Sequence, residues 1–139
     1  MTGSLATRSV AELMTRDPIV ASVDMPLVEA AQLMDFYRVT GLPVIDWSGR
    51  LVGVISQMDL LHARTTEALW ADWPGLTVRH LMTEPAVSVR SDTSVAEAAK
   101  LMERARIHRI VVIGSDGETP IGVLSVTDLV RDIAEGDQP

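Results

Sequence analysis

The chain has 139 residues, a formal net charge of −7 and no cysteine. That length is enough for one domain with its own core, and the lack of cysteine excludes disulfides and thiolate-bound metal sites and fits a reducing compartment. The negative charge disfavours general nucleic-acid binding, which depends on neutralising phosphates. No apolar stretch has the length of a signal peptide or a membrane span. We therefore expect a cytoplasmic protein that binds neither nucleic acid nor membrane.

The sequence contains two copies of one pattern, and each copy opens on a short predicted helix. Residues 10–15, VAELMT, match residues 78–83, VRHLMT. A proline and, two places later, a valine then predict the first strand of each copy: Pro18 and Val20, Pro85 and Val87.

A second helix follows in each copy. Its apolar residues recur at i, i+3, i+4 and i+7, which is one face of a helix. They are Leu27, Ala30, Ala31 and Met34 in the first copy, and Val95, Ala98, Ala99 and Met102 in the second. Pro26 suits the first turn of the first-copy helix, and Ser94 with Glu97 fits a capping box in the second copy.

Two apolar strands and a last helix complete each copy. The strands are predicted at 42–45 with 51–56 and at 110–113 with 121–125. Turns with Gly and Asp join them, and their nearly continuous apolar character is typical of a sheet covered by helices. Each copy ends on the string Gly-apolar-apolar-Ser-x-x-Asp-apolar, at 53–60 and 122–129.

These elements predict an α/β (α+β) fold of two βαββα repeats related by a pseudo-twofold axis. One copy alone would leave much of its sheet uncovered, so we expect the copies to pack sheet to sheet with their helices outside. The predicted boundaries are 8–64 for the first repeat, 65–77 for a connector with a short helix, and 78–134 for the second repeat, together forming one structural unit.

The duplicated pattern resembles the CBS domain pair, a family named after cystathionine β-synthase. The closing string is the most specific element, and two such strings, each after a Val-x-x-Leu-Met opening, extend the resemblance over nearly the whole chain. Residues 41–46 and 106–113 also look like the family's second-strand motif. One departure is Val111, which stands where the first copy has Pro43.

The resemblance implies two clefts, each of which binds AMP, ADP, ATP, S-adenosylmethionine or a related adenosyl compound as a regulatory ligand, with no cofactor required. In the family, the motif aspartate holds the ribose hydroxyls, the motif Ser or Thr lies near the phosphates, and strand backbone frames the adenine. Carried over residue by residue, one site comprises Ser125, Thr127, Asp128, His108, Arg109, Ile19, Val20, Thr40, Gly41 and Leu42. The other comprises Ser56, Met58, Asp59, Ala86, Val87 and the segment Ile107 to Ile110.

Both motifs also have a structural interpretation. Ser-x-x-Asp is a helix capping box, in which both side chains bond backbone N–H groups, while the same helix start also attracts anions. The pair His108-Arg109 stands where the first copy has Thr40-Gly41. It is a solvated loop, an arginine paired with a surface carboxylate, or a phosphate contact. If it contacts phosphate, the Asp128 site binds phosphorylated ligands more tightly than the other site.

The sequence shows no nucleophile–base set, no phosphate-binding glycine loop and no metal-ligand spacing among its three histidines. We therefore expect a regulatory module without catalytic activity. The resemblance implies that it senses an adenosyl ligand, acts on a separate, unidentified protein and forms a homodimer through its helices. The alternatives are an interaction or stress-associated protein of the same fold that binds no nucleotide, an unrecognised hydrolase or transferase, and a nucleic-acid-binding protein, which the charge disfavours.

Overall fold

Two antiparallel hairpins, one in each of two structural units, form the basis of the fold. The computed structural model describes residues 4–136. The middle unit comprises residues 19–86, and the terminal unit comprises residues 4–18 together with 87–136. Each unit combines helices with one small sheet, which confirms the predicted mixed α/β class.

The helices and strands follow the predicted order, with one additional strand in the first copy. They are α1 (Val10–Leu13), β1 (Thr15–Arg16), β2 (Ala21–Ser22), α2 (Leu27–Tyr37), β3 (Gly41–Ile45), β4 (Leu51–Ser56), α3 (Gln57–Thr65), α4 (Glu67–Ala71), a 3-10 helix (Trp73–Gly75), α5 (Val78–Leu81), β5 (Ser88–Arg90), α6 (Val95–Ala105), β6 (Arg109–Ile113), β7 (Pro120–Ser125) and α7 (Val126–Ala134). The middle unit has the strand order β2-β3-β4, and the terminal unit has the order β1-β7-β6-β5. α4 and the 3-10 helix lie in the predicted connector.

The predicted apolar faces of α2 and α6 form the cores of their units. In α2, Leu27, Ala30 and Met34 are buried. The equivalent residues of α6 are buried in the terminal unit: Val95, Ala98 and Met102. Pro26 lies at the N-cap of α2, one residue before the first turn, and Ser94 Oγ accepts a hydrogen bond from Glu97 N over 3.1 Å at the start of α6.

The strands β3 and β6 are covered on both faces. Three successive residues of each are buried: Leu42, Pro43 and Val44 in β3, and Ile110, Val111 and Val112 in β6. Because neighbouring residues of a strand point to opposite faces, burial of three in a row requires cover on both sides. The continuous apolar runs therefore reflect a buried strand rather than a half-exposed one.

The turns of the two hairpins are closed by aspartates. The Ser48 hydroxyl donates to Asp46 Oδ1 and lowers the pKa of that carboxyl. The Thr119 hydroxyl donates to Asp116 Oδ2 and lowers the pKa of Asp116 to about 2. These turns close one end of each hairpin. At the opposite end, β4 and β7 lead into the serines of the two Ser-x-x-Asp strings.

The opening segment of each repeat belongs to the unit that contains the rest of the other repeat. β1 pairs antiparallel with β7, and Arg16 lies opposite Gly122. After α5, Thr83 exchanges backbone hydrogen bonds of 2.8 and 3.0 Å with Val54 of β4. The structural units therefore divide the chain differently from the sequence repeats, whose boundaries at 8–64, 65–77 and 78–134 stay a prediction.

This crossing explains the glycine of each closing string. A Cβ placed on Gly53 would lie 2.6 Å from Thr83 O, and one on Gly122 would lie 2.9 Å from Thr15 O. Both distances are shorter than carbon–oxygen contact allows, and both oxygens belong to backbone. At Gly122 the side-chain sulfur of Met14 is nearer still, at 2.5 Å. Glycine at these places is thus required by the close approach of a second backbone.

An ion pair also fastens the start of the chain to the last helix. Arg8 Nη1 donates to both carboxylate oxygens of Asp132, over 2.9 and 2.8 Å, and both side chains are largely buried. Removing one member of such a pair leaves the other charge buried without its partner. The opening segment of the terminal unit is therefore attached to α7 through Arg8 as well as to β7 through β1.

We expect Gly122→Ala to lower the free energy of unfolding by about 1–3 kcal/mol, because the added methyl group displaces the backbone at Thr15. Gly75→Ala is the matched control, since a Cβ there meets no atom within 4 Å, and we expect it to change stability by less than about 0.5 kcal/mol. Urea unfolding of both variants measures the difference. Equal stability of the two would contradict the packing explanation.

Candidate ligand-binding site

The two Ser-x-x-Asp strings form capping boxes of the same geometry. In the middle unit, Ser56 N donates to Asp59 Oδ2 over 2.8 Å, and Asp59 N donates to Ser56 Oγ over 3.2 Å. In the terminal unit the same two bonds join Ser125 and Asp128 over 2.8 and 3.1 Å. The capping interpretation is therefore correct for both strings. Only Oδ2 of each carboxylate takes part in the cap, so Oδ1 is left for other partners.

In the middle unit, the loop before β3 lies against the start of α3. Gln57 N, the first N–H of α3, donates to Thr40 O over 2.9 Å, and Gly41 lies opposite Ser56 in the hairpin. β2 runs parallel to β3, so residues 19–20, which precede β2, lie at the same edge of the sheet. Residues 19–20, the segment 40–42 and the start of α3, all predicted site residues or next to one, therefore lie at this edge.

The terminal unit has the same arrangement. Val126 N donates to His108 O over 2.8 Å, and Arg109 lies opposite Ser125 in the hairpin. β5 runs parallel to β6, so Val87, just before β5, lies at this edge. The two pairs His108-Arg109 and Thr40-Gly41 thus occupy equivalent places, in agreement with the alignment of the copies.

Side chains at these edges differ in how far they are available to a ligand. Leu42 and Ile110 are fully buried in the cores of their units, so only their backbone could reach a ligand. Met58 and Thr127, the residues just before the aspartates, are exposed. The predicted sites therefore combine side-chain contacts with contacts to backbone.

The terminal-unit edge carries two basic side chains that the middle-unit edge lacks. His108 is exposed and Arg109 is half-buried, whereas Thr40 and Gly41 bear no charge. A guanidinium donates to phosphate through two N–H groups at once. The two edges therefore share one backbone design but offer different chemistry to an anion.

Sequence reasoning overlooked Arg131. Its Nη1 lies 3.3 Å from Asp128 Oδ1, the oxygen that the cap leaves open. His62 stands at the equivalent place in the first copy. The alignment already contained this difference, but only the structure shows that the arginine reaches the carboxylate.

The resemblance distributes each predicted site over both units, and that distribution stays a prediction. It pairs Asp128 with Ile19, Val20 and the segment 40–42, and it pairs Asp59 with Ala86, Val87 and the segment 107–110. Within residues 4–136, His, Asp and Glu side chains do not gather in any group of three or more that could hold a metal ion. Nor does any helix in this range have the length and hydropathy to cross a membrane.

Comparison with known proteins gives a consistent result. The family model of the CBS domain matches residues 10–65 and 78–135. The chain is 30% identical to the CBS domain-containing protein CBSX1 of Arabidopsis thaliana, over 94% of this chain and 68% of the relative. The solved structure of CBSX2 in complex with AMP, also from Arabidopsis thaliana, has a TM-score of 0.79 and 32% identity, over 91% of this chain and 96% of that one.

A third relative is an enzyme. The chain is 27% identical to inosine-5′-monophosphate dehydrogenase of Methanocaldococcus jannaschii, over 91% of this chain but 24% of the dehydrogenase. The chain thus spans about a quarter of that relative's length. The similarity concerns one part of the enzyme, so it brings no catalytic activity to this chain.

Proposed function

Because the chain belongs to the CBS domain family, we propose that it is a regulatory module that binds an adenosyl nucleotide and acts on a partner protein without catalysing a reaction. The observation that carries the proposal is the repeated cap, in which each aspartate at a sheet edge uses one oxygen for the helix and keeps the other outside the cap. The structure of CBSX2 with AMP supports the choice of ligand class.

The chemistry of the cap suits a nucleoside. A carboxylate accepts two hydrogen bonds at each oxygen, so Asp59 and Asp128 retain acceptor sites for a ribose diol after capping. The two ribose hydroxyls would donate to these free acceptor sites. Such bonds favour binding, because a hydrogen bond to a charged group is stronger than one between neutral groups. We therefore assign ribose binding to these two aspartates.

The helix start suits a phosphate. Of the first N–H groups of α7, that of Val126 is bonded to His108 O and that of Asp128 to Ser125 Oγ. The N–H of Thr127 has no acceptor among the described residues, and the positive end of the helix dipole lies at the same place. Thr127, and Met58 at the start of α3, thus contribute backbone donors, with Arg109 as a charged donor at the terminal-unit edge.

Thermal unfolding tests the ligand class. A ligand at 100 times its dissociation constant stabilises the fold by roughly 2.7 kcal/mol, so we expect AMP, ADP, ATP or S-adenosylmethionine to raise the Tm by several degrees and GTP to have no effect. Asp59→Ala and Asp128→Ala should each reduce this shift. Both variants also lose one of the two bonds of their capping box, at a cost of about 1 kcal/mol. Each variant therefore serves as the control for the other, and the shift on adding ligand is the quantity compared. A panel without any shift would favour the interaction protein that binds no nucleotide.

Isothermal titration tests the role of Arg109. We expect Arg109→Ala to weaken AMP binding by at least about tenfold, since a hydrogen bond to a charged group contributes about 1.5–3 kcal/mol, and to leave adenosine binding nearly unchanged. Arg104→Ala, an exposed arginine of α6, is the matched control. Equal weakening of AMP and adenosine would show that Arg109 acts on the fold rather than on the phosphate.

We also propose that two copies of the chain associate through α3 and α7. On α7, Val126, Val130 and Ile133 are exposed at i, i+4 and i+7, the last two to 56% and 59%. On α3, Met58 and Leu61 are exposed to 70% and 52%. Apolar stripes on the outside of a helix mark interaction surfaces, and Leu61 and Val130 hold equivalent places in the two copies.

Light scattering tests this association. We expect a dimer at micromolar concentration and a monomer for Val130→Glu, because a carboxylate in an apolar contact loses its hydration without gaining a partner. Ser115→Glu, in the exposed β6–β7 turn, should remain dimeric. A monomeric wild-type chain would rule out the proposed dimer.

A further inference from the structure

Arg131 occupies the side of the Asp128 carboxylate that the helix cap leaves open. Arg131 Nη1 lies 3.3 Å from Asp128 Oδ1, while Oδ2 accepts the N–H of Ser125. The side chain of Asp128 is only 8% exposed, whereas that of Arg131 is 60% exposed. The guanidinium therefore lies against Oδ1 of a mostly buried carboxylate, the oxygen that the cap leaves for a ribose diol.

The equivalent carboxylate of the middle unit has no such neighbour. His62 stands three places after Asp59, and its Nδ1 lies 3.4 Å from Thr66 Oγ1 instead. Within residues 4–136, Asp59 Oδ1 has no hydrogen-bond partner, although Oδ2 accepts both the N–H and the hydroxyl of Ser56. Asp59 and Asp128 thus form capping boxes of the same type, but only in Asp128 does Oδ1 accept a hydrogen bond from a neighbouring side chain within the described residues.

We propose that Arg131 is a specificity-determining residue that weakens the binding of a ribose diol at Asp128 relative to Asp59. This inference rests on the proposed function, because it concerns the two aspartates assigned to ribose. A diol that donates to both oxygens of Asp128 must share Oδ1 with the guanidinium or displace it. Either event costs part of a charge-assisted hydrogen bond.

As a consequence, the two aspartates should prefer ligands of different charge. An uncharged nucleoside has only its base and diol to offer, so it favours Asp59. A ligand with a phosphate gains Arg109 at the terminal-unit edge, which offsets the competition from Arg131. An exposed ion pair changes an equilibrium constant by up to about fivefold, which sets the size of the expected preference.

Adenosine is the probe for the test, because it has the diol and no phosphate. In an Asp59→Ala background, which leaves only the Asp128 diol acceptor, adding Arg131→Ala should tighten adenosine binding about two- to fivefold by isothermal titration. In an Asp128→Ala background, His62→Arg should weaken adenosine binding by a similar factor, and His62→Ala is the matched control that should not change it. Unchanged or weaker binding after Arg131→Ala overturns the proposal.

A second ligand separates an effect on the diol from an effect on folding. The gain from Arg131→Ala should be absent for 2′,3′-dideoxyadenosine, and an equal gain with that compound overturns the inference. If none of adenosine, AMP, ADP, ATP and S-adenosylmethionine binds the wild-type chain, the proposed function fails and the inference fails with it. If one of the nucleotides binds but adenosine does not, only the inference fails. If adenosine binding depends on Asp59 and Asp128 but not on Arg131 or His62, only the inference fails.

Discussion

The contact between a backbone carbonyl and a glycine is the constraint on which the rest of the structure depends. Thr83 O lies where Gly53 would carry a Cβ, and Thr15 O lies in the same relation to Gly122. Each contact holds an opening segment on the second strand of a hairpin, three residues before the serine that caps the next helix. The cap and its aspartate therefore follow directly from a strand that is bonded to the other hairpin strand on one side and to an opening segment on the other.

Local patterns predicted most of the fold, and contacts between distant parts of the chain account for what they missed. The faces of α2 and α6 follow from helical periodicity, and the hairpin strands follow from continuous apolar runs between turn residues. β1 was not predicted, because Thr15 and Arg16 have no strand pattern of their own and form a strand only by pairing with β7. A repeat in the sequence also cannot show which hairpin each opening helix packs against. The caps were predicted as one of two interpretations of Ser-x-x-Asp, whereas the reach of Arg131 depends on side-chain geometry that no spacing rule contains.

The two copies share their backbone hydrogen bonds at the candidate sites but differ in the charge of the side chains there. Backbone bonds from Gln57 to Thr40 and from Val126 to His108 hold equivalent loops at equivalent places. The side chains at those places have diverged, to Thr40-Gly41 in one copy and to His108-Arg109, which includes a guanidinium, in the other. A duplicated fold with conserved main-chain bonds tolerates this divergence, because the groups that change lie outside the cores. The match to about a quarter of a dehydrogenase indicates that a similar module occurs within larger proteins.

The crossing of the opening segments also determines the order in which the chain can fold during its synthesis. Residues 19–86 contain every strand of the middle unit, so all residues of this unit have been synthesised before residue 87 is added. Residues 4–18 leave the ribosome before the middle unit, yet β1 cannot pair with β7 until β7 is made, more than 100 residues later. Since the closure of so long a loop is slow, residues 4–18 are made before the middle unit but become ordered after it. Until then they remain open to chaperones and proteases.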